Sequence, residues 1–218
     1  MPPTPPRTSR DLRRSRLDAV RRVRRYNNLT IGWNVVEGVV GIGAGIVAGS
    51  ISLIAFGLDS GIEVSTSLVL AWRLAQERRG GCMADYDRRA TRAIAVCFAV
   101  LAVYVGYEAV TRLTVGQEPD VSVVGIALAA TSVVVMPLLA RAKKRLAPAL
   151  GSQAVVSEAR QTELCAWLSA VVLVGLGLNA LLGWWWADPA AALVLAGFAG
   201  FESVRSLRAD SLEDTCCG

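Results

Sequence analysis

Two carboxylates, those of Asp59 and Glu63, stand near the centre of the apolar stretch 51–75. As a helix that rises ~1.5 Å per residue, this stretch is long enough to span the ~30 Å hydrocarbon core of a bilayer. Two ionised and unpartnered carboxylates at that depth would cost on the order of 5–7 kcal/mol. Their i, i+4 spacing places both on one face of the helix. Paired oxygen donors at mid-membrane suggest a cation-binding site.

A second polar group lies in the apolar segment 153–180. At 100° per residue, Glu158, Gln161 and Cys165 share one helix face. Carboxylate, amide and thiol groups can all ligate a metal ion. Because the chain has no histidine, any metal or proton chemistry must use these three donor types.

The composition indicates a membrane protein. Of the 218 residues, 53% are hydrophobic, and the mean hydropathy is +0.44, which is more apolar than a soluble domain of this length requires. The five cysteines include no CxxC pair, and their odd number argues against a disulfide framework. The net charge of +5 reflects topology rather than a nucleic-acid partner.

Six apolar segments predict an all-α membrane protein with six transmembrane helices. They lie near residues 29–48, 51–74, 91–112, 121–141, 153–180 and 186–206. Residues 29–208 then form one membrane domain. Residues 1–28 are rich in proline and arginine and are not a signal peptide, so we expect a disordered basic tail there. The alternative for part of this tail is a short basic helix on anionic lipid headgroups. Residues 209–218 form a second short tail.

The basic residues predict the orientation of the six helices. Nearly all of the 23 Lys and Arg residues lie before helix one, after helices two and four, or at the end of the chain. By the positive-inside rule, this side is cytoplasmic. Both termini are therefore expected in the cytoplasm, and both tails are cytoplasmic tails.

Depth along the helices pairs the polar residues of helices two and five. Entering from outside, helix two carries Asp59 ~12 Å and Glu63 ~18 Å into the core. Helix five runs the other way and carries Gln161 ~11 Å and Cys165 ~17 Å up from the cytoplasm. Glu63 then matches Gln161 in depth, and Asp59 matches Cys165. If the two helices are neighbours, these four residues converge near the midplane as a metal site.

The motifs at these positions resemble those of the cation diffusion facilitator (cation efflux) family of divalent-metal antiporters. Residues 49–63 read GSISLIAFGLDSGIE, similar to the family's GSxALxADxxHSxxD, and residues 157–169 read SEARQTELCAWLS, similar to ADxxHxxxDxxxS. Asn34 precedes Gly49-Ser50 at the family's spacing, and Asp188-Pro189 opens helix six as in the family. The resemblance covers all six helices, and Glu37, one turn after Asn34, is a weaker candidate for the site.

The resemblance implies a transport domain and an efflux function. The implied substrate is a divalent metal cation, with Zn²⁺ as the expected ion, exchanged for protons at Asp59, Glu63, Gln161 and Cys165. It also implies a homodimer in the plasma (inner) membrane, with no enzymatic activity and no organic cofactor. Gln161 and Cys165 depart from the family, which has His or Asp at the first position and Asp at the second.

Three alternatives stay open from the sequence. Glu158 could replace Gln161 as a ligand. Because the chain stops soon after helix six, we expect the family's cytoplasmic ferredoxin-like domain to be missing, which favours a non-transporting metal sensor or assembly partner as the alternative function. The pair Cys216-Cys217 could collect metal, but a solvated tail or lipidation is the expected role.

Overall fold

The protein folds into a bundle of six long helices. The structure, a computed structural model, describes residues 9–76, 84–150 and 153–210. The helices are α1 Ser9–Ala48, α2 Ile51–Gln76, α3 Ala84–Val115, α4 Val123–Leu150, α5 Gln153–Leu182 and α6 Ala187–Asp210. Each contains a stretch long and apolar enough to cross a membrane, and the described ranges contain no strand. The predicted all-α fold with six transmembrane helices is confirmed.

The outer surface of the bundle is apolar. Large hydrophobic side chains such as Val39, Val103 and Leu181 are exposed along the spans, whereas many serine, asparagine and acidic side chains are buried between the helices. A soluble protein does not expose apolar surface on this scale. The apolar outer surface is therefore suited to contact with lipid.

Helix α2 lies at the centre of the bundle. It contacts α1, α3, α5 and α6, and the most extensive contacts of all join α1 to α2, α3 to α6 and α4 to α5. The predicted site requires α2 and α5 to be neighbours, and the structure meets this condition. We call the end of the bundle that holds the connections 49–50, 116–122 and 183–186 the short-loop end, and the opposite end the basic end.

The first helix starts earlier than the sequence pattern predicts. Helix α1 begins at Ser9, so residues 9–28 are helical, and a disordered tail is the wrong description for them. Prolines stop at position 6, and the following residues are mostly arginine, leucine and other residues that favour helices. Val23 and Asn27 are buried within the bundle. Residues 1–8 and 211–218, which include Cys216-Cys217, lie outside the described residues.

Glycines bring α1 and α2 unusually close together. A Cβ atom on Gly57 would lie 2.8 Å from the backbone nitrogen of Ile42 and 3.1 Å from the carbonyl oxygen of Gly38. A Cβ atom on Gly45 would lie 2.9 Å from the backbone nitrogen of Ile54. Small residues of this kind let helix backbones approach each other in membranes. Gly38 and Gly45 of α1 therefore pack against α2 within the α1–α2 hairpin.

A buried carboxylate joins the start of α6 to the start of α2 at the short-loop end. Asp188 accepts a 2.6 Å hydrogen bond from the Ser50 hydroxyl and a 3.0 Å bond from the backbone N–H of Ile51. The Ser52 hydroxyl also donates to Asp188. The first N–H groups of a helix have no partner within the helix, and a carboxylate there is favourable. Asp188 therefore caps α2 from another helix and fixes its position.

We predict that Gly57→Ala destabilises the fold by about 1–3 kcal/mol, because the added methyl group meets backbone atoms of α1 that cannot move independently. Thermal unfolding of the detergent-solubilised protein measures the effect. Gly61→Ala, on the same helix, is the matched control, since a Cβ atom there meets nothing within 4 Å. Equal melting temperatures for the two variants would contradict the close α1–α2 contact.

Candidate metal centre

The two carboxylates of α2 are both inside the bundle. Asp59 is 5% exposed and Glu63 is 1% exposed. They lie one turn apart, close enough for their charges to interact. Buried charges must find partners or bind a counter-ion, since leaving them alone costs several kcal/mol. This burial is what the sequence predicts for a site inside the membrane.

Asp59 borders a small, largely apolar cavity. The cavity has a volume of ≈ 10 Å³ and is lined by residues of α2, α3, α5 and α6, among them Leu101, Leu168 and Ala199. A space of this size holds about one water-sized particle. Glu63 and Cys165 are not among the residues that line it.

Glu63 contacts the thiol of α5 instead. Cys165 is 1% exposed, and its thiol lies within hydrogen-bonding reach of the Glu63 side chain. The charge of Asp59 is also near enough to interact with Cys165. Glu63 and Cys165 therefore meet where α2 contacts α5, and Asp59 lies one turn away along α2.

The remaining candidates are less well placed. Gln161 is only partly buried, one turn from Cys165 toward the basic end of α5. Glu158 lies in α5, but its side chain is outside the described residues. The choice between Gln161 and Glu158 therefore stays open.

The described conformation does not hold a finished metal-binding group. Within 9–76, 84–150 and 153–210, no three cysteine, aspartate or glutamate side chains converge closely enough to hold an ion. Asp59 points to its cavity, whereas Glu63 and Cys165 meet each other. A tetrahedral site of Asp59, Glu63, Gln161 and Cys165 stays a prediction that needs a further approach of these side chains.

A third buried carboxylate, that of Glu37, belongs to α1, and the sequence predicts it only as a weaker candidate for the site. Glu37 is 0% exposed and accepts hydrogen bonds from Ser60 of α2, at 3.2 Å, and from Ser132 of α4. Its charge interacts with those of Asp59 and Glu63. The signal in the sequence is one acidic residue on the face of α1 that also carries the glycines.

Glu202 of α6 is a fourth acidic residue near the centre, and it is absent from the site residues predicted from the sequence. Its charge interacts with that of Asp59, and its carboxylate pairs with Arg205 at 3.3 Å. It lies one turn beyond Ala199, which lines the cavity of Asp59. A lone Glu-x-x-Arg pair near a helix end normally indicates a surface ion pair, so the sequence gives no reason to place it near the site.

The chain has six apolar helices with carboxylates buried between them, an arrangement that is typical of integral membrane proteins that bind or move ions. The family follows from the sequence: the profile of the cation efflux transmembrane domain matches residues 29–213, and the chain belongs to the cation efflux family. It is 28% identical over 181 residues to the uncharacterized transporter sll1263 of Synechocystis sp., covering 79% of this chain. It is 29% identical over 174 residues to the uncharacterized transporter MJ0449 of Methanocaldococcus jannaschii, covering 77%. These matches span 58% and 61% of the two relatives' own lengths.

We predict that Cys165 binds a soft or borderline metal ion through sulfur. Added Co²⁺ should then produce a thiolate-to-metal charge-transfer band in the ultraviolet spectrum. The background for the measurement carries Cys82→Ser, Cys216→Ser and Cys217→Ser. Cys165→Ser in this background should abolish the band, whereas Cys97→Ser, on the exposed side of α3, should leave it unchanged. A band that survives Cys165→Ser would remove Cys165 from the ligand set.

Proposed function

We propose that this protein transports a divalent metal cation across the membrane in exchange for protons, and that this cation is Zn²⁺. The proposed site consists of Asp59, Glu63, Gln161 and Cys165. The observation that carries the proposal is the burial of Asp59 and Glu63 at mid-helix in α2, with Cys165 of α5 against Glu63. Membership in the cation efflux family supports it.

The donor set fits a borderline metal ion. Two carboxylates, one thiolate and one amide oxygen offer four ligands, and Zn²⁺ accepts oxygen and sulfur ligands in tetrahedral geometry. The amide of Gln161 is a neutral and weaker donor. Cd²⁺, Co²⁺, Fe²⁺ and Mn²⁺ remain compatible with the donor types, and the thiolate favours the softer ions among them.

Exchange for protons follows from the same ligands. Carboxylates and thiols bind metal in their deprotonated forms, so metal binding releases protons. Inside the bundle, Asp59 and Glu63 lie too close for both charges to go uncompensated. A divalent cation compensates them in one state, and protons compensate them in the other. The site would therefore alternate between metal and protons rather than stand empty and charged.

Completion of the site would require α5 to move relative to α2. Glycine contacts hold α2 to α1, and Asp188 holds it to α6, whereas α5 has its most extensive contacts with α4. A shift of the α4–α5 pair against α2 would bring Gln161 and Cys165 toward Asp59. Such rocking also supplies the alternating access that transport needs.

The proposed setting is the plasma (inner) membrane, with both termini in the cytoplasm, as the distribution of basic residues favours. We further propose a homodimer formed through membrane helices, by resemblance to the family. A metal sensor or an assembly partner without transport is the competing function, and flux measurements separate the two, because a binder would hold metal without moving it.

We predict that Asp59→Ala abolishes metal flux in proteoliposomes and leaves the melting temperature within a few degrees of wild type. The variant removes the carboxylate at the cavity but also removes the cost of burying it. Asp120→Ala is the matched control, since this aspartate is exposed at the short-loop end, and it should transport normally. Wild-type flux in a folded Asp59→Ala protein would refute the proposed site.

The substitution Cys165→Asp should keep transport and shift selectivity from Cd²⁺ and Zn²⁺ toward Mn²⁺, because a carboxylate is a harder donor than a thiolate. We expect the ratio of Cd²⁺ to Mn²⁺ uptake to fall by roughly tenfold, the equivalent of about 1.4 kcal/mol. Cys165→Ser should weaken uptake of the soft ions most. Competition between Cd²⁺ and Mn²⁺ in the same vesicles measures this, and identical selectivity in all three proteins would show that Cys165 is not a ligand.

A further inference from the structure

The inner face of α1 is polar over its first half inside the bundle. Asn27, Thr30, Asn34 and Glu37 follow one another at successive turns, and all four are almost completely buried. Farther along the same face, the buried positions are glycine and alanine. Buried polar residues in transmembrane helices are costly, and they commonly mark routes of ions or protons.

This row of polar residues is hydrogen-bonded to two neighbouring helices, α2 and α4. At its basic end, the Asn27 amide donates a 3.2 Å hydrogen bond to the backbone carbonyl of Ser67 in α2. At its inner end, Glu37 accepts hydrogen bonds from Ser60 of α2 and Ser132 of α4. We call the four α1 residues with Ser60 and Ser132 the polar lane. The lane lies on the α1–α4 side of α2, whereas the cavity of Asp59 lies on the α3–α6 side.

Glu37 is held by hydroxyl groups that are themselves positioned. Ser60 shares its one hydroxyl hydrogen between a carboxylate oxygen of Glu37, at 3.2 Å, and the backbone carbonyl of Phe56, at 3.1 Å. Ser132 donates to the other carboxylate oxygen. The indole N–H of Trp33 donates to the Ser132 hydroxyl at 3.0 Å, which fixes that hydroxyl from α1. Carboxylate and hydroxyl oxygens therefore lie together around Glu37, and oxygen atoms are the ligands that hard cations prefer.

The buried side chain of Asn34 indicates that a ligand binds next to Glu37. It is 0% exposed, yet neither its side-chain oxygen nor its side-chain nitrogen has a hydrogen-bond partner within the described part of the chain. The large majority of buried side-chain polar atoms have a hydrogen-bond partner, so an exception needs an explanation, and a bound ion or water is one that fits a polar site. The Asn34 amide lies one turn from Glu37 on the same face of α1, where its carbonyl oxygen can add to the same donor set.

Charge selects the kind of ion. Glu37 supplies one negative charge, and the amide and hydroxyl groups around it are neutral. In the low dielectric of the interior, a monovalent cation makes this site neutral, whereas a divalent cation would leave an uncompensated positive charge. The metal site across α2 has the opposite character, since Asp59 and Glu63 together match a divalent ion.

The titratable groups that act on Glu37 are acidic. Asp59 and Glu63 of α2 and the thiol of Cys165 in α5 are near enough to interact with it. The buried cation of α4, Lys143, lies nearer the basic end and donates a 3.1 Å hydrogen bond to the Thr162 hydroxyl of α5. Once a divalent ion or protons compensate Asp59 and Glu63, Glu37 carries a single negative charge, which a monovalent cation matches.

We propose that Glu37 and Asn34, with Ser60 and Ser132, form a binding site for the monovalent counter-ion, Na⁺ or H⁺, separate from the divalent metal site. The proposal rests on the proposed exchange function and adds to it a second site with its own residues. The two ions would occupy opposite sides of α2, and the shared electric field of Glu37, Asp59 and Glu63 would couple their binding.

The test compares Glu37→Gln and Asn34→Ala with wild type in vesicles loaded with a pH dye or with radioactive Na⁺. Glu37→Gln keeps the size of the side chain and one acceptor oxygen but lacks the charge, so metal should still bind within about threefold of wild type, while about one monovalent ion fewer moves per metal. Asn34→Ala should keep that ratio and raise the half-saturating counter-ion concentration by about tenfold. The pH dye and the Na⁺ tracer tell which ion is carried.

Glu108→Gln is the matched control, because Glu108 pairs with Arg112 near the short-loop end, away from the lane, and it should behave as wild type. An unchanged ion ratio in Glu37→Gln, or loss of metal binding together with counter-ion movement, would overturn the proposal.

A second measurement does not depend on transport. Infrared difference spectra of the detergent-solubilised protein, recorded with and without Na⁺ and on acidification, report carboxyl groups directly. Glu37→Gln should remove one carboxyl signal that responds to Na⁺ or to acid. If wild type shows no metal flux but keeps this signal, the exchange function fails and the monovalent site stands. If Glu37→Gln removes no such signal, the monovalent site is refuted.

Discussion

The main constraint on this structure is the cost of keeping carboxylates inside a membrane bundle. Asp59 and Glu63 can remain there only because α2 is surrounded by four helices that supply neighbours and exclude lipid. That position of α2 depends on two unusual contacts. The backbones of α1 and α2 meet at glycines such as Gly57, and Asp188 of α6 satisfies the first N–H groups of α2. The glycine packing and the Asp188 cap therefore both hold α2 rigidly at the centre, where it carries two carboxylates.

The fold and part of the site could be predicted from the sequence, because a bilayer sets the length and hydropathy of a helix that crosses it and makes buried charge costly. Length and hydropathy located the six helices, and the cost of buried charge singled out Asp59 and Glu63. Matching depth from opposite ends paired α2 with α5, and the two helices are in contact. The same argument matched Cys165 with Asp59, whereas the thiol meets Glu63, one turn away from the predicted partner. Helix periodicity gives a face only to within a broad sector, however. Whether Asp59 turns toward Cys165 or toward a cavity with α3 and α6 depends on packing that no single helix encodes.

The features that the sequence left undecided depend on contacts between distant residues. The run of arginines before Asn28 has the composition of a disordered tail, yet the burial of Val23 and Asn27 shows that the neighbouring helices accommodate a longer α1. Glu37 looked like an isolated acidic residue, because its two partners, Ser60 and Ser132, lie 23 and 95 positions away. Hydroxyl groups are common in transmembrane helices, so neither serine stands out until the fold brings it to a carboxylate.

The central position of α2 gives this arrangement its mechanistic consequence. One side of the helix presents Asp59 to an apolar cavity, and the other side places Ser60 against the carboxylate of α1. The charges of Glu37, Asp59 and Glu63 interact, so a cation bound on one side lowers the affinity for a cation on the other. Linkage of this kind is reciprocal: if the metal expels the counter-ion, the counter-ion expels the metal to the same degree. Exchange would then need no direct contact between the two ions, only a rigid helix that keeps the three carboxylates within range of one another.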